Sequence, residues 1–168
     1  MTAARVVLWR HGETDWNATG RYQGQADVEL NVRGVQQAQA AAPLIAALKP
    51  SRIVSSDLSR ARTTAAELGA LTGLTVQVEP RLQEINVGDW AGLTNQQVFA
   101  DHPEFAEALH AGRDARRSTT GETGAEAGAR VATALLDIAE STPDGQTAVA
   151  VGHGFAMRVG TVFLLGLD

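Results

Sequence analysis

Short apolar runs recur along this chain, and each leads through a polar or glycine-rich segment into a stretch with apolar residues every three or four positions. Alternating strand and helix patterns of this kind favour a mainly parallel sheet, because parallel neighbours need crossovers and the crossover helices cover both faces. The apolar runs are 6–9, 52–55, 74–78 and 147–151. Between them, Val35, Ala38, Ala42, Ile45 and Leu48 mark a helix entered at Asn31 and kinked at Pro43. Ala61, Thr64, Ala65, Leu68 and Leu71 mark a second, capped at Asp57 and stopped at Gly73. Short helices are expected over 95–100 and 103–111, a longer one over 124–140 with Thr123 as its cap, and a buried one over 155–165. The expected fold is an α/β three-layer sandwich forming a single domain over 1–168. A small helical lid region lies at about 93–122, and its polar run 112–122 reads as a mobile loop. The ending VFLLGLD is too apolar for an exposed chain end. Further sheet elements beyond it are therefore expected, or else a homodimer that covers the last helix.

The chain has 168 residues and no cysteine. That removes a disulfide framework, a thiolate nucleophile and cysteine-ligated zinc together. A net charge of −5 argues against broad binding to nucleic acid or an anionic membrane, since such surfaces need a basic excess. No segment approaches a membrane span, and the opening MTAARVVLWRHG reads as a first strand and not a signal peptide. The expectation is a cytoplasmic protein in which any anion site is a local cluster of arginines.

The densest polar segment, Arg10-His11-Gly12-Glu13-Thr14-Asp15-Trp16-Asn17, directly follows the first strand, where α/β sheets gather ligand-binding groups. Three further strand-following segments supply Arg60, Glu84 and His153. Together they answer what phosphoryl transfer needs: fixed donors for spread negative charge, an in-line nucleophile and a proton for the leaving oxygen. Arg10 and Arg60 offer forked donors that match phosphate oxygens, with Asn17 and the Gly154 amide as neutral donors. A neutral imidazole can attack if a backbone carbonyl fixes its tautomer and cationic neighbours keep it unprotonated. Attack is accordingly assigned to His11 and steadying of the phosphate to His153. Glu84, facing an anionic substrate, is expected to have a raised pKa and to act as general acid and then as base, with Asp89 in reserve. The scheme needs no metal and no cofactor. His102 and His110, without a close carboxylate–histidine spacing, read as surface residues.

The segments LWRHGETDWN, SSDLSRARTTA, RLQEINVGDWAGL and VGHG, in that order over nearly the whole chain, resemble the histidine phosphatase superfamily, also called phosphoglycerate mutase-like. The resemblance implies that fold, a phosphohistidine at His11, and phosphate binding by Arg10 and Arg60 with Asn17 beside them. It also implies acid–base work by Glu84 and a pocket completed by His153, and it makes Arg21, in the stretch GRYQGQADVELN, either a substrate contact or part of a plain solvated loop. SSDL, and RL-x-E followed by GDW-x-GLT, look similar to bacterial glucosyl-3-phosphoglycerate phosphatases and broad-acting relatives. The expected activity is hydrolysis of a small phosphorylated metabolite. One alternative is a phosphoglycerate mutase, against which chain length speaks. Another is a catalytically silent phospho-ligand binder, against which the intact Arg10, His11, Arg60, Glu84 and His153 speak. Phe155 departs from the pattern, standing where many members have a second glycine, and Thr123 replaces the usual serine.

Trp9 reads as core, Trp90 as packing beneath the Glu84 loop, and Trp16 as either a pocket border or packing. Arg62 and Arg81 read as surface or ion-paired residues. Arg113, Arg116 and Arg117 read as a solvated basic face, or as part of a lid over an anionic substrate.

Overall fold

Among the described residues, four strands, β1 (Arg5–Arg10), β2 (Arg52–Ser55), β3 (Val76–Val78) and β4 (Thr147–Gly152), pair in parallel in the order β1-β4-β2-β3. The computed structural model describes Ala3 and residues 5–167; Met1, Thr2, Ala4 and Asp168, at the ends of the expected domain, lie outside the described residues. Among the described residues, seven α-helices join or follow the strands: α1 (Asp15–Ala18), α2 (Val32–Ala46), α3 (Ser59–Thr72), α4 (Asn95–Asp101), α5 (Pro103–His110), α6 (Gly124–Ser141) and α7 (Gly154–Leu164).

The three layers follow from the period of two along β4. Val149 and Val151 point to one face, where they meet Ile53 and the α2 and α3 side chains Ala42, Ala61, Ala65 and Leu68. Ala148 and Ala150 point to the other, against Val131, Ala134, Leu135 and Ile138 of α6 and Ala156 and Met157 of α7. All six β4 residues are buried, which is why that strand reads as a continuous apolar run instead of an alternating one. A third cluster, built on Ile85, Val87, Trp90, Val98, Phe105 and Ala127, seats α4 and α5 against the rest of the fold. Trp9 packs on the α2 and α3 face of the sheet, with Val149 and Val151, and Trp90 lies buried in the third cluster.

Several local expectations change in three dimensions. Asn31 caps α2 by accepting from the Gly34 amide at 2.8 Å, and Thr123 caps α6 through a capping box with Glu126. Asp57, however, is not the cap of α3. The first α3 amide, on Ser59, donates at 2.7 Å to Asp27 from the loop after β1, while Asp57 accepts from Gln83 at 2.9 Å. That cap comes from 32 residues upstream, so no local pattern could announce it. β3 begins at Val76, with Leu74 packing on the sheet just outside it. The polar run 112–122 is tied down and not loose. Asp114 accepts from the first amides of α6, Gly124 and Ala125, each at 2.8 Å, and Arg117 is buried.

Candidate active site

Sheet register brings the two central histidines together. Arg10 pairs with Gly152, and the His11 amide donates to the Gly152 carbonyl at 3.0 Å, so His11 and His153 leave adjacent strands at the same level. Their rings stand with centroids 5.0 Å apart. On the other side of β4, Ser56 follows β2, and its hydroxyl lies 3.0 Å from His153 Nε2.

The His11 side chain is buried, and its Nδ1 lies 2.6 Å from the Gly12 carbonyl. A carbonyl only accepts, so Nδ1 carries the hydrogen and Nε2 keeps its lone pair. Burial is the main reason that the His11 pKa falls from 6.5 to about 4; the Gly12 contact opposes the fall, and the Arg60 and Arg10 charges add to it. The ring is therefore neutral at pH 7. His153 is also pushed well below the usual histidine value, first by burial and then by Arg60 and His11. Ser56 Oγ accepts from the Leu58 amide at 3.3 Å and can donate its hydrogen to His153 Nε2; in that tautomer the ring proton sits on Nδ1. That Nδ1 is buried and makes no hydrogen bond among the described residues.

The turn carrying His11 is held by close backbone approach. A Cβ on Gly12 or on Gly34 would stand well under 3.0 Å from backbone atoms of the other segment, so both positions demand glycine. The Gly12 amide donates to Thr64 Oγ1 at 3.1 Å, and Thr64 donates in turn to the Arg60 carbonyl at 2.8 Å. Thr14 caps the short α1 in a capping box with Asn17. Asn17 Oδ1 is occupied by the Thr14 amide at 3.1 Å, so its amide hydrogens remain as the donors in the cleft.

Arg60 serves the loop as well as the site. Its two terminal nitrogens each donate once, to the Ala26 and Gly24 carbonyls at 2.7 and 2.8 Å, and buried Nε has no partner among the described residues. It thus fixes the loop after α1 while Nε–H and the second hydrogen of each terminal nitrogen remain as donors. Glu84 is held by α7: its Oε1 accepts from the Ala156 and Ile85 amides at 2.8 and 2.9 Å, and Oε2 from Phe155 at 3.2 Å. Gly154, at the start of α7, lies directly against Arg10, where a Cβ would come 3.1 Å from the guanidine Nε.

A cleft of about 310 Å³ is lined by Arg10, His11, Asn17, Gln23, Arg60 and Glu84. Tyr22, Ile85, Val87, Phe105, Leu109 and Phe155 form its apolar part, with Arg21 and Arg117 beside them. Arg21 is exposed and donates to the Gly92 carbonyl at 2.7 Å. Of the reserve candidates, Asp89 is exposed and does not line the cleft, and Trp16 packs on Gly92. Arg81 pairs with Glu79 and Asp137, Arg116 with Glu126, and His102 stacks on Trp90 at 5.2 Å. Within the basic run, Arg117 is the cleft residue, lying 4.9 Å over the Phe155 ring and bonded to Asp114. Sequence reasoning missed Gln23, which stands in the same loop as Arg21, and the Phe105, Leu109 and Phe155 wall. No polar pattern marks that wall.

No helix among the described residues is long and apolar enough to cross a membrane. Among them, no three histidine, cysteine, aspartate or glutamate side chains gather closely enough to hold a metal ion.

The family model of the histidine phosphatase superfamily (branch 1) matches residues 6–168. A glucosyl-3-phosphoglycerate phosphatase of Mycobacterium tuberculosis is 52% identical over 103 residues, which are 61% of this chain and 46% of that protein. The matched stretch thus spans about half the length of that relative. An Erwinia tasmaniensis protein named Probable phosphoglycerate mutase GpmB is 36% identical over 97% of this chain and 75% of its own length. Among solved structures, a mycobacterial glucosyl-3-phosphoglycerate phosphatase complexed with VO3 superposes with a TM-score of 0.88 at 40% identity, covering 97% of this chain and 82% of the other.

Proposed function

Because the chain belongs to the histidine phosphatase superfamily, we propose that its cleft hydrolyses the phosphomonoester of a small metabolite through a phosphohistidine at His11. The observation that carries this reading is the state of His11: neutral, with Nδ1–H fixed on the Gly12 carbonyl and Nε2 free to attack. Nε2 gives its lone pair to phosphorus as the bond to the leaving oxygen breaks, and protonated Glu84 delivers its proton to that oxygen. The alcohol departs. Water then attacks the phosphohistidine, Glu84 takes its proton, and inorganic phosphate leaves with His11 restored. Arg10, the Arg60 Nε, Asn17 and His153 Nδ1 supply donors to the phosphoryl oxygens as negative charge spreads over them. The Gly154 amide, at the start of α7, belongs to the same donor set.

The rest of the cleft bears on the leaving alcohol. Arg21 and Arg117 favour one that carries an anionic group, and Tyr22, Phe105, Leu109 and Phe155 favour one with a C–H or ring face. Glucosyl-3-phosphoglycerate, named for two of the similar proteins, has both properties. Return of the phosphoryl group to bound product, as a phosphoglycerate mutase performs, is the second reading, favoured by the resemblance to the Erwinia tasmaniensis protein.

The test is phosphate release from glucosyl-3-phosphoglycerate, 3-phosphoglycerate, sugar phosphates and an aryl phosphate, with chelator present and His11→Ala as control. Turnover that survives chelator and vanishes in His11→Ala is the expected result. Isomerisation of phosphoglycerate without phosphate release would move the assignment to mutase. No turnover, or turnover that persists in His11→Ala, would refute the phosphohistidine.

A further inference from the structure

We propose that Arg130, paired with Glu122, is a positioning residue that holds the Glu84 loop in register for proton transfer. The inference rests on the reading of Glu84 as acid and base. Arg130 stands on α6, outside the residues lining the cleft, with its side chain 20% exposed. All five of its guanidinium hydrogens have partners. Nη1 donates to the Arg81 and Gln83 carbonyls at 2.9 and 2.8 Å, and Nη2 to the Glu84 carbonyl at 2.8 Å. The remaining two, from Nε and Nη2, form a bidentate pair with Glu122 Oε1 and Oε2, each at 2.8 Å.

Glu122 extends the clamp. Its Oε2 also accepts from the Asn86 amide at 2.8 Å, and its own amide donates to the Asn86 carbonyl at 2.8 Å. The chain on both sides of Glu84 is thereby fixed to one ion pair. The segment needs this because it follows a 3-10 turn (Pro80–Leu82) and belongs to no strand, so its carbonyls have no ladder partners. Gln25 adds one further bond to the Glu84 carbonyl at 3.2 Å. The Glu84 carboxylate is set by α7 amides and its backbone by α6, and both must agree for the carboxyl to reach a leaving oxygen. A misplacement of about 1 Å can cost on the order of a hundredfold in rate. Lysine cannot substitute, having three donors on a point charge where arginine has five in a planar fork.

The experiment compares an alkyl phosphate, whose leaving oxygen needs a proton, with p-nitrophenyl phosphate, whose leaving group does not. The variants are Glu84→Gln, Arg130→Lys, Glu122→Gln and the double variant of Glu84→Gln with Arg130→Lys. Glu84→Gln sets the size of the leaving-group effect. Arg130→Lys is expected to lose at least about tenfold more kcat on the alkyl ester than on the aryl ester, with KM little changed. In the Glu84→Gln background it should add nothing to that ratio, because the residue it serves is already disabled. Glu122→Gln, which keeps the shape and removes the charge, should shift the ratio the same way by less, and it covers the case in which Arg130→Lys does not fold. Equal losses on both esters, or a ratio change that persists in the Glu84→Gln background, would overturn the clamp and leave the acid assignment standing. A Glu84→Gln variant that treats both esters alike would overturn the two together.

Discussion

Acidification is the perturbation that most directly tests the chemistry of His11. A histidine at the ordinary value of 6.5 would be only about 3% neutral at pH 5, whereas one at about 4 remains about nine-tenths neutral. The nucleophile should therefore stay competent more than a unit below the pH at which a solvated histidine is spent. Turnover alone would mix this with the substrate's own second ionisation near pH 6. The direct assay is a pH titration of the imidazole nitrogens by NMR on protein labelled with nitrogen-15 histidine, with His11 assigned through His11→Asn. Near pH 5 the Nε2 signal should still report a mostly neutral ring with its hydrogen on Nδ1. Because burial outweighs the two arginine charges, Arg10→Gln should leave His11 below 6.5. The same shift has a consequence for stability. Between pH 6.5 and about 4 the unfolded chain binds a proton at this residue that the folded chain refuses, so stability is lost as pH falls through that window. The His11→Asn variant should lose less over the same range. A His11 that titrates near 6.5, or a melting temperature equally acid-sensitive in both proteins, would refute the argument.

Two further outcomes follow from packing and charge. Gly34→Ala forces a Cβ into the backbone at Glu13, and it should lower stability by about 2 kcal/mol or more in urea denaturation while abolishing turnover; unchanged stability would mean that the two segments are not in contact. Arg117→Met should raise KM about tenfold for a phosphate ester with an anionic leaving group and leave KM for an uncharged aryl ester nearly unchanged, whereas equal changes on both would remove Arg117 from substrate recognition.

The sequence by itself determined the strand–helix alternation, the parallel sheet and the segments proposed to carry chemistry. Those features are local: apolar periodicity, the Asn31 and Thr123 caps, and polar clusters placed just after strands. It also led to His11, Glu84 and His153, because each is a chemically distinctive residue at the end of such a run. Tertiary structure alone decided what required residues distant in sequence. The cap of α3 comes from Asp27, Arg60 gives two of its five hydrogens to Gly24 and Ala26, and Arg117 lies in the cleft while its neighbour Arg116 pairs with Glu126. The clamp of Arg130 on three consecutive-region carbonyls was equally invisible, since carbonyls belong to every residue and carry no signature in sequence. The neutral imidazole that the sequence reading ascribes to cationic neighbours owes its state chiefly to burial, and burial is a property of the packed molecule and not of the letters that encode it.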